Sequence, residues 1–233
     1  MAERGKSDLP INYADQLKSE AAEIASRISQ GPRNKITSTG GSSFTLPTGA
    51  TAPTMELVVL DFVVTHDFFD RPFNRNNPIP PACFAIGLNP RDMVPSVNAP
   101  NKQAESCTNC AHNQWKSGVG AGKACKNGRT LAVTPLRPLD DGSRPIWVLE
   151  IPPASLKFFD AYVSGIASKH KSSPIGMLTE ISHEPGSAFN APRFKEKRPL
   201  TNEELGAIFE LREQAMEMIT KEPDVSKYVP LGK

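Results

Sequence analysis

The chain has 233 residues, of which 38% are hydrophobic, 22% are charged and only 7% are aromatic. Its 22 prolines and 16 glycines argue against a helical bundle, yet they stay below the roughly 25–30% that is typical of a disordered, low-complexity chain. The net charge of +2 excludes a uniform polycation. We therefore expect a loop-rich protein that contains β structure and is long enough for one sizeable core or two small domains.

No export signal or membrane span is predicted. Residues 1–12 are charged and have no apolar core of a secretory signal. The most apolar stretch, residues 55–64, carries two acidic residues and is far shorter than the ~20 residues that cross a bilayer. Without a signal, the four cysteines favour reduced thiols or a metal site over disulfides. We expect a cytoplasmic protein with no membrane partner.

The N-terminal third predicts a helix followed by β structure. Apolar residues at three- and four-residue steps predict a helix over 13–29, ended by Gly31-Pro32. Residues 35–48 alternate around the pair Gly40-Gly41 and predict a hairpin. The β-branched run 57–64 is the best strand of the chain.

Residues 71–138 have little predicted regular structure. Seven prolines between positions 72 and 100 exclude a long helix or an interior strand there. All four cysteines fall in this stretch. Ordered irregular structure of this length needs something besides a hydrophobic core to hold it.

Regular elements return after this stretch. Short strands are predicted over 130–134 and 146–151, with Asp140-Asp141-Gly142 as a hairpin turn, followed by a helix over 156–168 and a strand over 176–182. Phe158, Phe159 and Tyr162 are expected in the core.

The C-terminal region predicts one amphipathic helix. Thr201 is its cap and Glu204 has the spacing of a capping box. The order of elements indicates an α+β protein with the β portion in the middle. We divide the chain into a helical arm (1–34), a core (35–200) with an insertion at about 71–130, and a C-terminal helix and tail (201–233).

The cysteine spacing is the strongest chemical signal. Cys107 and Cys110 form a C-x-x-C turn, Cys125 follows after a long loop, and Cys83 precedes them. Four thiolates are the ligand set of a closed structural Zn²⁺ site. His112, two residues after Cys110, competes with Cys83 for the fourth position, and we prefer Cys83.

Two other interpretations of the cysteines remain. They could be unrelated buried thiols, which are common in protein cores, although all four lie in the most polar and proline-rich third of the chain. A redox C-x-x-C normally opens a helix after a strand, whereas Cys107 follows a polar loop. A catalytic zinc would need an acid or base nearby, and Glu105 is the only carboxylate close to the motif.

Charge is unevenly distributed along the chain. Residues 71–138 contain nine basic and two acidic residues, so this third carries +7 and the remainder carries −5. A basic surface of this kind is typical of a protein that binds a polyanion, most simply nucleic acid. The expected contacts to phosphate are Arg91, Lys116, Lys123, Lys126 and Arg129.

Trp115 is the candidate for base stacking. It adjoins Lys116 and follows Asn113 and Gln114, so that a ring, a charge and two amides come together, as in single-strand binders. Trp115 could equally be a packing lid over the metal. The glycine-rich run that ends at Lys123 lacks the spacing of a Walker loop.

The motifs together resemble a pattern in tailed-bacteriophage proteins. The pattern joins P-x-C at Cys83, C-x-x-C-x-x-N-x-W-x-S from Cys107 to Ser117, and G-x-G-K-x-C-K from Gly120 to Lys126. The group is associated with phage single-stranded-DNA-binding proteins that have an OB-like β-barrel with a zinc-bearing insertion. The resemblance covers about residues 57–194.

The resemblance implies zinc on the four cysteines, with Lys123 and Lys126 near the bound strand. It also implies an OB-like barrel core, a role in phage DNA replication or recombination, and the host cytoplasm as location. Two features depart from the pattern: the chain has no acidic C-terminal tail, and the helix predicted over 13–29 lies outside it and could serve self-association.

The resulting hypothesis is a non-enzymatic, zinc-stabilised protein that binds single-stranded nucleic acid, with DNA favoured, through phosphate neutralisation and base stacking. One alternative is a protein-interaction or regulatory module without nucleic-acid binding. The other is a metal-dependent nuclease, for which three histidine pairings are worth testing: His66-Asp67, His112-Asn113 and His183-Glu184.

Overall fold

A computed structural model describes residues 34–39, 43–72, 78–184 and 191–230, together with the single residues Tyr13 and Glu20. The chain divides into two units, residues 1–33 and residues 34–233. Apart from Tyr13 and Glu20, the helix predicted over 13–29 lies outside the described residues, as do Gly40 and Gly41 of the predicted hairpin turn. The elements named below all belong to the second unit.

The described part of the second unit contains one mixed sheet, which is curled into a half-barrel. Its strand order is β3-β2-β1-β7-β6-β4-β8-β9, and β5 pairs with β4 beside this path. The protein is therefore mixed α+β with few helices. The strands are β1 (Lys35–Thr39), β2 (Ser43–Thr45), β3 (Thr51–Ala52), β4 (Thr54–Phe68), β5 (Cys83–Gly87), β6 (Lys126–Thr134), β7 (Trp147–Ile151), β8 (Met177–His183) and β9 (Pro192–Pro199).

The central strand β4 explains the apolar run in the sequence. It has 15 residues and pairs with β6 along one side, while β8 and β5 pair with its two halves on the other. Leu57 and Val59 belong to the core cluster on one face, and Val58 and Leu60 belong to the cluster on the other. A strand that is buried on both faces reads as a continuous hydrophobic run rather than an alternating one.

Two expected hairpins are confirmed. β1 and β2 are antiparallel, with Ser38 opposite Phe44. Between β6 and β7 the backbone N–H of Gly142 donates to Leu139 O at 2.8 Å, and Gly142 has φ +79°. This left-handed conformation is one that glycine adopts without a steric cost.

The helices cover both faces of the sheet. Helix α1 (Leu156–His170) buries Phe159, Tyr162 and Ile166 against one face. Phe158, which was also expected in the core, is only half-buried, and the Arg193 guanidinium lies over its ring.

The prediction of one continuous C-terminal helix is wrong. The segment forms two short helices, α2 (Asn202–Phe209) and α3 (Arg212–Ile219), although the expected capping box between Thr201 and Glu204 is confirmed. Both short helices contribute to the same core cluster, to which α2 adds Ile208 and α3 adds Ile219. Phe209 beside the break is 49% exposed.

Strand β9 has no counterpart among the strands predicted from the sequence. Its central residues are mostly charged and it is bounded by Pro192 and Pro199. It lies at one end of the strand order and pairs only with β8 among the described residues. Charged residues and prolines are typical of edge strands, so its sequence lacks the apolar alternation that marks a half-buried strand. Among the described residues, no helix is long and apolar enough to cross a membrane.

Candidate nucleic-acid interface and cysteine cluster

The segment 88–125, here called the cysteine loop, connects β5 to β6. Its only regular element is one turn of 3-10 helix, Ala111–Asn113. Backbone hydrogen bonds attach it to the sheet and to itself: Ser96 N donates to Phe84 O at 2.9 Å, and Cys107 N donates to Met93 O at 3.0 Å. The expectation of ordered structure with few helices or strands is confirmed for this segment.

All four cysteines meet at one place. Cys83, Cys107, Cys110 and Cys125 are buried and free of disulfides, and all line one small cavity of about 20 Å³ together with His66 of β4. Chain topology explains the convergence, because Cys83 begins β5 and Cys125 directly precedes β6, and both strands pair with β4. The loop then returns Cys107 and Cys110 over the same face.

The structure favours Cys83 over His112 as the fourth member of the cluster. Cys83 lines the cavity, whereas His112 is absent from its lining. The His112 ring instead stacks on Phe68, with ring centroids 4.1 Å apart.

When no cation is bound, burial favours the protonated thiol at Cys107 and Cys125. Burial, and then the neighbouring cysteines, raises the pKa of Cys107 to about 11 and that of Cys125 to about 12. A bound divalent cation would reverse this preference, since metal binding requires thiolates and releases their protons.

Four cysteine thiolates match the ligands of a structural Zn²⁺ site in kind and number. The positions of the side chains, however, are not those of ligands around one ion. Within the described ranges, no group of three or more histidine, cysteine, aspartate or glutamate side chains is arranged to hold a metal ion. The structure thus brings the four thiols to one cavity without placing them as ligands around one point.

Two amides brace the C-x-x-C turn. The Asn113 side chain is buried and its Nδ2 donates to Cys107 O at 2.8 Å. Gln114 Nε2 donates to Cys110 O and to Thr108 O, each at 3.0 Å. Sequence analysis placed both amides at a base-stacking surface, and the structure shows them holding the turn.

The tip of the cysteine loop exposes an aromatic ring and a charge. Trp115 is 75% exposed and Val119 is 100% exposed, so Trp115 is not a lid over the cysteine cavity. Lys123 Nζ lies 5.5 Å from the centroid of the Trp115 ring and donates to Asn113 Oδ1 at 3.2 Å. Lys116 is exposed and has the left-handed φ of +71°.

Four of the five expected phosphate contacts line two pockets, and Lys116 lines neither of them. Arg91 and Lys123 line a pocket of about 250 Å³ near the loop tip. Lys126 and Arg129 line a second pocket of about 390 Å³. The Arg129 side chain is only 12% exposed and pairs with Asp160 at 3.5 Å, so it is a weaker candidate for contact with a ligand than the other four basic residues.

The 250 Å³ pocket also contains His66, which the sequence singled out, and Asn127, which it did not. His66 is 3% exposed, and burial, followed by the charges of Lys123 and Arg129, lowers its pKa to about 4. His66 Nδ1 and Asn127 Oδ1 are buried, and no described residue forms a hydrogen bond with either atom. Asn127 was missed because a lone asparagine in a polar segment carries no sequence signal.

The 390 Å³ pocket has a mixed lining. Asp67 lies there with Glu150 and the two basic residues. Burial, and then the Glu150 charge, raises the pKa of Asp67 to about 6. His66 and Asp67 thus line different pockets, although they are adjacent in sequence.

The other histidine pairings do not assemble into a catalytic group. The His183 ring stacks on Phe44 with centroids 4.0 Å apart, and Glu184 pairs with Arg193. Asn113 does share two pockets with His66, but its side-chain amide is committed to Cys107 and Lys123.

Comparison of the chain with protein-family models, with curated proteins and with solved structures gave no match. The resemblance to phage single-strand-binding proteins therefore depends on the quoted motifs alone.

Proposed function

We propose that this protein is a non-enzymatic single-stranded-DNA-binding protein of phage replication or recombination. The observation that carries the proposal is the loop tip, where an exposed indole and an ammonium group lie side by side on a loop held by backbone hydrogen bonds. A large exposed tryptophan costs solvation without stabilising a core, and base stacking is a use that suits it. Arg91 and Lys116 supply further positive charge near this ring.

Zinc belongs to the same proposal as a structural brace. The four buried thiols around one cavity support it, because the loop that carries Trp115 has little hydrophobic core of its own. When bound, zinc would cross-link the start of β5, the C-x-x-C turn and the start of β6. The curled sheet would then serve as the OB-like barrel that the resemblance implies.

The first experiment compares single and double strands. Fluorescence anisotropy of labelled 30-mer oligonucleotides at low salt should show tighter binding to the single strand. Contacts from about four basic residues predict that log K falls with log salt with a slope of roughly −3. Equal affinity for both strand types, or none for either, contradicts the proposal.

Intrinsic fluorescence tests the role of Trp115 directly. Because Trp147 is buried, stacked DNA should quench only Trp115. Trp115→Phe should abolish quenching yet retain most binding, whereas Trp115→Ala should weaken binding roughly 5- to 150-fold, the cost of one stacked base. The matched control is Phe209→Ala, which removes another exposed aromatic ring at a position far from the loop in sequence.

A second candidate function follows from the fully exposed Val119. An apolar residue beside a tryptophan at a loop tip also suits a hydrophobic pocket of a protein partner. In that case the protein is an interaction module, and it would show no salt-dependent affinity for nucleic acid and a stable complex with a phage or host protein.

A further inference from the structure

Two residues that line the pocket below the loop tip each carry a buried polar atom without a hydrogen-bond partner among the described residues. His66 on β4 and Asn127 on β6 are register partners, and side chains of directly opposed residues lie on the same face, about 5 Å apart. Both line the 250 Å³ pocket. Within the described ranges, His66 Nδ1 and Asn127 Oδ1 have no hydrogen-bond partner.

Such atoms are exceptional in a folded protein. Buried polar groups nearly always have a partner, and leaving one without costs stability. Here two of them lie opposite each other in the same pocket.

The mouth of the pocket carries positive charge. Arg91 and Lys123 both belong to its lining. Arg91 is exposed, and its backbone is held by the Thr108 hydroxyl, which donates to Arg91 O at 3.0 Å. Lys123 is held beside the Trp115 ring. An anionic group would therefore lie at the mouth, next to the loop tip.

The size of the pocket limits what enters. About 250 Å³ is smaller than the ~300–1,000 Å³ of sites for drug-sized ligands. One planar group with hydrogen-bond donors and acceptors at its edge fits this description. A nucleobase has such an edge, and asparagine pairs with base edges through its amide.

We propose that this pocket holds one base of the bound strand, with the base edge on Asn127 and His66 and a flanking phosphate on Arg91 and Lys123. This inference rests on the proposed function, and it adds a base preference to binding that is otherwise independent of sequence. The strand would stack one base on Trp115 and insert another below it.

The test compares homopolymers dA, dC and dT with wild type and Asn127→Ala. Wild type should prefer one homopolymer by roughly 5-fold or more, the discrimination expected of a good base contact. Asn127→Ala should reduce the preference below about 2-fold while the salt dependence and the Trp115 quenching persist. Asn127 also borders the 390 Å³ pocket, so the control is Thr130→Ala on the same strand, which lines that pocket and not the 250 Å³ one and should keep the wild-type preference.

A second measurement separates the pocket from the loop tip. Each deoxynucleoside monophosphate is titrated into the full chain by NMR, with inorganic phosphate as the control ligand. Wild type should bind one nucleotide more tightly than phosphate, and both Asn127→Ala and the exposed-site variant Arg91→Ala should weaken it. Circular dichroism melting establishes that each variant is folded.

The outcomes are distinct. Equal affinity of wild type for all homopolymers, or an unchanged preference in Asn127→Ala, overturns the pocket inference and leaves the proposed function standing. Loss of all oligonucleotide binding overturns the proposed function, and selective mononucleotide binding would then still support the pocket. If nucleotides bind no better than phosphate, the pocket inference is wrong.

Discussion

Gly118 of the cysteine loop permits a close approach of two backbone segments, and replacing it should open the loop. A Cβ added at Gly118 would lie 2.7 Å from Lys123 C and 2.8 Å from Ala124 N. Both contacts are with backbone directly before Cys125, so no side-chain rotation can relieve them. Overpacking of this kind costs about 1–3 kcal/mol, and we expect Gly118→Ala to lie at the upper end.

Two other glycines of the same loop provide matched comparisons. Gly120 has φ +65° and nothing within 4 Å of an added Cβ, so Gly120→Ala meets only backbone strain of about 1–2 kcal/mol. At Gly122 an added Cβ would lie 3.4 Å from Val119 O, at the edge of ordinary contact. The expected order of destabilisation is Gly118→Ala, then Gly120→Ala, then Gly122→Ala.

The assay is thermal unfolding of the three variants, together with hydrogen exchange of the amides of residues 117–125. Each kcal/mol lowers Tm by roughly 2–4 °C in a chain of this size. Gly118→Ala should also speed exchange of the Gly118 amide, which donates to Gly122 O at 3.0 Å. If Gly118→Ala is no more destabilising than Gly122→Ala, the loop does not close as described.

Three further predictions concern pH, metal and capping. Burial lowers the pKa of His66 to about 4 and raises that of Asp67 to about 6. As pH falls from 6.5 toward 4, the contribution of His66 therefore lowers the free energy of unfolding, while the contribution of Asp67 raises it. Asp67→Asn should leave only the His66 effect. The unfolding free energy of this variant should exceed that of wild type at pH 7 by roughly 1–3 kcal/mol and should fall more steeply below pH 6.5. Urea unfolding measures both curves, and parallel curves for variant and wild type would refute this. Chelation with phenanthroline should release zinc, measured by a colorimetric indicator, and lower Tm; an unchanged Tm with no zinc released contradicts the proposed metal brace. Thr201→Ala removes the oxygen that accepts from Glu204 N and should cost about 1 kcal/mol in urea unfolding, whereas no loss would mean that the capping box contributes nothing.

The sequence predicted local structure well wherever the local signal agreed with the tertiary environment. The capping box at Thr201 and the turn at Gly142 are confirmed because each depends on a few adjacent residues. β9 was missed because a charged edge strand has little burial to reveal it. The break after Phe209 was missed because the apolar helical periodicity of the sequence continues through it, so that nothing local marks the end of the first helix.

The candidate site divides in the same way. Cysteine type and spacing marked Cys107, Cys110 and Cys125 as a group, with Cys83 preferred as the fourth member. The structure favours Cys83 over His112 because β5, which begins with Cys83, pairs with β4, as β6 does. No spacing rule could have joined His66 to Asn127, since their proximity comes from β4–β6 register.

The sequence by itself determined the composition of the chemistry: four thiols and an excess of positive charge in one proline-rich third of the chain. Tertiary structure decided what those residues can reach. It divided four of the basic residues between two pockets, paired Arg129 with Asp160, and left Trp115 in solvent. The physical reason is that charge and residue type are local properties, whereas access to a ligand depends on which strands pair and which face the cysteine loop covers.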